Sequence, residues 1–324
     1  MRKEEFSELP KLVQQYLIYI EAIKNHSELS VIEYASDLRT FFRYMAKLKG
    51  LCPKDTPNEE IDLSPIDLNF IQNVKLTDAF QFIVYCKNER HNSESTRARR
   101  VVSIRRFYGY LCDNLGLIEN NPMKSLDAPK TKKALPKYLT LEEADKLLSV
   151  IDGKYKERDY AILTLFLNCG MRLSELCSID YNDIKQDGSL VITGKGNKER
   201  IVYLNQACIR AIVDYMKVRP RDGVKDRALF LSSRNQRISA KTVQHMVYSY
   251  LDKAGLGDRG LSVHKLRHTA ATLMYRHGNV DLLLLKEILG HENLGTTEIY
   301  THIADDAAKK AIESNPLANK KAKW

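Results

Sequence analysis

Apolar positions recur at helical spacing along most of the chain, and they follow a strand-like alternation only in two short runs near residue 195. Between residues 11 and 46 two faces can be traced. Leu12, Gln15, Tyr16, Tyr19 and Ile23 mark one helix. Ser30 reads as the N-cap of a second, whose inner face is Tyr34, Leu38, Phe41, Phe42 and Met45. Residues 49–67 hold Cys-Pro, Thr-Pro and Ser-Pro among acidic side chains, which predicts a surface loop. Helical spacing returns over residues 76–87, and again over 96–115 behind Ser95, so four helices are expected before residue 120.

Residues 120–138 break the pattern. Three prolines and five lysines in NNPMKSLDAPKTKKALPKY make a poor helix and a poor core, and predict a basic linker. Beyond it, Thr140-Leu141-Glu142-Glu143 has the form of a capping box. An apolar helix over 158–169 should stop at Gly170. Residues 189–193 and 200–204 read as two strands of a hairpin around Gly-Lys-Gly-Asn-Lys. Helices follow near 205–218, 239–254, 263–277, 280–289 and 305–314. The pattern predicts a mainly α chain with a small antiparallel β-sheet, in a helical domain (1–120), a linker (121–137) and a second domain (138–324).

Charge and cysteine content narrow the class. Lys and Arg total 51 against 41 Asp and Glu, a net +10, which favours a polyanionic partner only mildly. No run of eighteen apolar residues and no signal-type N-terminus is present, so a cytoplasmic protein is expected. The six cysteines are scattered without a CxxC pair and read as reduced thiols rather than zinc ligands.

Candidate chemistry gathers in the second half. Arg172 sits in Asn168-Cys169-Gly170-Met171-Arg172-Leu173-Ser174-Glu175, and Lys195 sits between Gly194 and Gly196. His264 and Arg267 lie three apart in Val263-His264-Lys265-Leu266-Arg267-His268, so one helical face presents both. His291 follows Leu289-Gly290, and Tyr300 comes nine residues later. On one continuous helix those nine residues would separate His291 and Tyr300 by about 13 Å and about 180°. Asn293-Leu294-Gly295 supplies a break that lets the phenol return toward the imidazole. Three cations, two imidazoles and a phenol suit a phosphodiester. They offer no carboxylate cage, HExxH or P-loop, so neither metal nor cofactor is expected. Each residue alone has a plainer reading. Most of the seventeen tyrosines pack or face solvent, and most arginines sit in surface ion pairs. His268 is assigned to packing.

Taken together and in order, these motifs resemble the catalytic signature of the tyrosine recombinases, the DNA strand-exchange enzymes that include phage integrases and the Xer group. Size and layout are most similar to the Xer-like members. The resemblance implies a two-domain DNA clamp, with a helical core-binding (SAM-like) domain ahead of a mixed α/β catalytic domain. It implies cleavage and rejoining of DNA through a 3′-phosphotyrosyl intermediate on Tyr300, without metal or ATP. Arg172 and Arg267 would bind the phosphate, Lys195 would protonate the departing 5′ oxygen, His264 would serve as base, and His291 would donate to a nonbridging oxygen. Glu175 would support Arg172. The partners implied are double-stranded target sites and a tetramer on two duplexes, either of one chain or with a second recombinase. Chromosome-dimer resolution and service to a mobile element both fit. A catalytically silent DNA-binding protein and a type IB topoisomerase-like relaxer are the competing readings.

Overall fold

The computed structural model describes residues 6–129, 137–193, 199–221, 223–224, 226–278 and 280–290. The chain divides into two units, Met1–Lys133 and Ala134–Trp324.

The first unit is helical. Its elements are α1 (Lys11–Ala22), α2 (Glu28–Leu48), the short α3 (Leu68–Gln72), α4 (Leu76–Asn88) and α5 (Glu94–Gly109), the last ending in a π-type turn over Tyr110–Asn114. The helical spacing read in the sequence is the packing interface. Leu38, Phe41, Phe42 and Met45 of α2 are fully buried, against Phe82 of α4 and Phe107 of α5. Phe41 meets both Phe42 and Phe82 edge-on at 5.2 Å between ring centres. Burying each such side chain stabilises by roughly 1.5–3 kcal/mol.

Two caps differ from expectation. Ser27, not Ser30, opens α2 and accepts from the Ser30 N–H, while Ser93, not Ser95, opens α5 and accepts from Thr96. Several hydroxyls stand near each start, and the one whose backbone is still extended takes the role. Five α-helices, not four, precede residue 120 among the described residues; α3 is too short for a periodicity to show. The 49–67 loop is irregular apart from one 3-10 turn, but Ile61, Leu63 and Ile66 pin it to the core. Met123 and Leu126 are buried in the same core, so it continues past the last helical turn.

The second unit is built around α7 (Lys156–Cys169), which is buried nearly all round and packs on α6 (Leu141–Ser149), α9 (Gln206–Val218) and α11 (Val263–His277). The capping box at Thr140 is made in both directions. Gly170 ends α7 in the left-handed conformation at φ 58°, as the sequence predicted. Strands β1 (Ser189–Thr193) and β2 (Glu199–Tyr203) pair antiparallel, with Leu190 opposite Val202 and Ile192 opposite Arg200. The six-residue α8 (Leu173–Ser178), α10 (Ala240–Lys253) and α12 (Leu282–Leu289) complete the described elements. The hairpin tip and the helix expected at 305–314 lie outside the described residues. Among the described residues no helix is long and apolar enough to cross a membrane.

Candidate active site

Three chain segments meet where α7 ends. Gly170 turns the chain from α7 into Met171 and Arg172, and Arg172 is the residue that opens α8. Gly170 has to be glycine. Its φ is positive, and a Cβ there would stand 2.8 Å from Leu289 Cδ2 and 3.5 Å from Ala270 Cβ. The ends of α7 and α12 and the flank of α11 are therefore in direct contact, which brings residues 172, 267 and 290 together although they lie far apart in sequence.

Glu175 is the hub. It is 2% exposed and accepts from the Arg172 backbone N–H at 2.7 Å and from Arg172 Nη1 at 2.6 Å. It also accepts from Arg200 Nη1 at 2.5 Å and Nη2 at 3.0 Å. Arg267 Nη1 stands 4.0 Å from its second oxygen. Burial by itself would raise the Glu175 carboxyl. The hydrogen bonds from Arg200 and Arg172 outweigh it and hold the carboxyl below the ordinary glutamate range. The site is thus three guanidinium charges around one carboxylate.

Arg267 lies on α11 and is buried. It donates to the Gly170 carbonyl at 2.7 Å and the Leu289 carbonyl at 2.5 Å. Both acceptors stand at helix C-termini, where the carbonyls carry partial negative charge. Arg172 donates through Nη2 to the Gly290 carbonyl at 2.7 Å, and its side chain is 35% exposed. Two of a guanidinium's five N–H donors make those side-chain bonds. One arginine therefore welds the site together while the other reaches its surface.

His264 is exposed in the first turn of α11, next to Arg267. Protein crowding one side of the imidazole disfavours the imidazolium, and Arg267, Lys265 and Arg172 add to that, so its pKa lies below the ordinary histidine value. The positive end of the α11 macrodipole acts in the same direction. At neutral pH the ring is uncharged and can accept a proton. The His268 ring meets His264 edge-on, 4.7 Å between centres.

Of the residues expected from sequence, Arg172 and Arg267 come together around Glu175, and His264 lies close to both arginines. Lys195, His291 and Tyr300 lie outside the described residues. Arg200 was missed. The available signal was strand phase: Arg200 shares the inward side of β2 with buried Val202, and a charged residue in an inward phase calls for a buried partner.

Comparison with known proteins assigns the class. Residues 137–307 match the phage integrase family, and residues 13–60 match the phage integrase N-terminal SAM-like domain. The chain belongs to this family, the tyrosine recombinases, and is an Xer-like site-specific DNA recombinase. It is 51% identical over 310 residues to the tyrosine recombinase XerC of Caldanaerobacter subterraneus subsp. tengcongensis, covering 95% of this chain and 88% of that protein. It is 35% identical to the XerC of Shewanella amazonensis, over 89% of this chain and 99% of that one. The crystal structure of the XerH recombinase bound to palindromic difH substrate shares the fold, with TM-score 0.70 and 24% identity over 93% of this chain and 84% of that chain.

Proposed function

We propose that the chain exchanges DNA strands through a covalent link to Tyr300. The phenol oxygen attacks the scissile phosphorus, a P–O bond to the enzyme forms, and the P–O5′ bond breaks. Lys195 delivers a proton to the departing 5′ oxygen, and neutral His264 takes the phenolic proton. A phenol is only about one part in a thousand ionised at neutral pH, so both a base and a cationic field are needed. Arg172 and Arg267 supply that field, with Arg172 directed at the nonbridging oxygens and Arg267 fixing the scaffold beside them. His291 donates to a nonbridging oxygen. A 5′-hydroxyl from the partner strand then attacks the 3′-phosphotyrosine, which restores the phosphodiester and frees Tyr300. The phosphodiester bond energy is kept in the adduct, so no nucleotide is consumed, and cleavage is expected to persist in EDTA.

The observation that carries this reading is the Glu175 hub: a net positive set of guanidiniums, fixed before substrate arrives, beside a neutral imidazole. We take residues 1–120 as the helical DNA-binding domain, 121–137 as the linker and 138–324 as the catalytic domain. Contacts from both domains go mainly to phosphates, so affinity should fall steeply with salt. Exchange between two duplexes needs four cleaving tyrosines, which points to a cyclic tetramer, of one chain or with a second recombinase. The segment 305–314 is the proposed connector to the neighbouring subunit. Truncation after Asp305 should leave single-site binding intact and weaken cooperative binding to two half-sites. The reading itself is tested with Tyr300→Phe, which removes one oxygen and little volume. DNA binding should survive, and the covalent complex on a nicked duplex should vanish from denaturing gels. An undiminished complex would mean another nucleophile.

A further inference from the structure

We propose that Arg200 is a positioning residue of the cleavage reaction, holding Glu175 so that the Arg172 guanidinium stays directed at the scissile phosphate. The inference rests on the reading that Arg172 binds that phosphate.

Three observations converge on Arg200. It grips Glu175 with two nitrogens, at 2.5 and 3.0 Å, from the inward side of β2. Its stem lies against Gly290: a Cβ there would stand 3.0 Å from Arg200 Cδ and 3.3 Å from Nε. The Gly290 carbonyl is also the acceptor for Arg172 Nη2. Arg200 and Arg172 therefore hold the same two residues, Glu175 and Gly290, and Gly290 directly precedes His291. In sequence β2 also leads out of the connection that carries Lys195. Arg200 contacts both partners of Arg172 and has no proposed chemical step of its own.

The physical role follows from how a buried carboxylate chooses its donors. Glu175 takes one side-chain bond from Arg172, at Nη1. Arg267 stands at 4.0 Å, too far for a hydrogen bond. If Arg200 were removed, the carboxylate would be short of donors in a water-poor place, and the nearest flexible guanidinium is Arg172. A two-pronged Arg172–Glu175 pair would form. That pair would consume N–H groups that otherwise face the phosphate, and it would offset the Arg172 charge. The site would also fall from three guanidiniums against one carboxylate to two against one, weakening the field at the stage when the nonbridging oxygens carry most negative charge.

An ion pair serving only cohesion would behave differently, and a double-substitution cycle on the full chain separates the two. The substrate is a nicked duplex carrying the target site located by footprinting. The readouts are the single-turnover rate of covalent-complex formation, DNA affinity by mobility shift, and the melting temperature. Arg200→Ala should slow cleavage by about tenfold, within the range of couplings seen in one hydrogen-bond network, with DNA affinity unchanged. Arg200→Lys should recover part of the rate. Arg200→Ala combined with Glu175→Gln should be no slower than Arg200→Ala alone, because a neutral amide does not capture Arg172. The inference is overturned if the two losses multiply, if Arg200→Ala cleaves at the wild-type rate, or if its loss is one of DNA affinity. If Arg200→Ala does not fold, the same cycle is run with Arg200→Lys. Arg172→Ala in the same assay tests the underlying reading. Wild-type cleavage by Arg172→Ala removes that reading. An inactive Arg172→Ala beside multiplying losses removes only the role of Arg200.

Discussion

Asp37 in the first unit and Glu175 in the second are both carboxylates buried among arginines, and their surroundings are built to different standards. In the first unit Asp37, 1% exposed, accepts from Ser103 Oγ at 2.8 Å and pairs with Arg99 at 2.9 Å. Its other oxygen faces Arg100 Nε at 3.6 Å and is buried without a hydrogen-bond partner. In the second unit Glu175 receives four N–H contacts between 2.5 and 3.0 Å. The outcome is opposite. Burial dominates at Asp37 and raises its carboxyl above the ordinary range despite the hydrogen bond and the two arginines. At Glu175 the donors overcome burial and lower it. At Asp37 one hydrogen bond and two arginines do not offset the cost of burial, whereas at Glu175 four N–H donors spread over both oxygens do. The first unit uses its carboxylate to join α2 to α5, where an incomplete shell is tolerable. In the second, where the carboxylate is proposed to aim an arginine, it is not.

The largest effect should come from Glu175→Ala. It leaves three guanidiniums facing one another, partly desolvated, and should cost about 3–5 kcal/mol of stability together with nearly all covalent-complex formation. Asp37→Ala removes a less complete set of bonds and should cost about 1–3 kcal/mol, with the yield of complex per folded molecule unchanged. Urea melts and denaturing gels on the two variants decide this. Equal losses of cleavage would erase the distinction between the units.

The pH dependence of stability should split the two carboxylates by sign. Glu175, with its pKa depressed, contributes stability that is present above the ordinary glutamate value and lost as pH falls through the folded value. Asp37, with its pKa raised, contributes stability that is present below the ordinary aspartate value and lost as pH rises through the folded value. The stability difference between wild type and Glu175→Gln should therefore grow with rising pH across the acid range, whereas that between wild type and Asp37→Asn should shrink. Slopes of the same sign would contradict the assignment. His264 adds a kinetic counterpart. With its pKa depressed, it becomes protonated only at a pH below the ordinary histidine value. The acid limb of the single-turnover rate should lie below that value and vanish in His264→Gln.

The smallest effects compare two glycines. Gly50 and Gly290 both have positive φ, at 75° and 63°, but a Cβ at Gly50 meets nothing within 4 Å while one at Gly290 meets Arg200. Alanine at either should cost about 1–2 kcal/mol in left-handed strain. Only Gly290→Ala should also slow cleavage, by displacing Arg200. Equal cleavage rates for the two variants would show that Arg200 tolerates the shift.

What the sequence made legible follows from which signals are local. Helices with one continuous apolar face, such as α2 and α11, were read within a few residues of their observed bounds, and the hairpin was read from its alternation and glycines. Short elements were not: α3 and α8, at five and six residues, span too few turns for a period to show. Caps were displaced by two or three residues because neighbouring serines offer the same hydroxyl. At the site, Arg172, His264 and Arg267 were legible as motif members. The Glu175 hub was legible only as the i, i+3 partner of Arg172. The contribution of Arg200 depends on a strand crossing to a helix 25 residues earlier, and its inward strand phase calls for a buried partner without naming which one.

Whether the chain cuts DNA by joining Tyr300 to it is decided by peptide mapping of the covalent complex. Full-length protein is reacted with a nicked duplex bearing its target site, digested with nuclease and protease, and analysed by mass spectrometry. One modified peptide is expected, spanning Tyr300 and carrying a nucleotide 3′-phosphate on the phenol oxygen. A nucleotide found on any other residue, or strand exchange with no protein-linked intermediate, would contradict it.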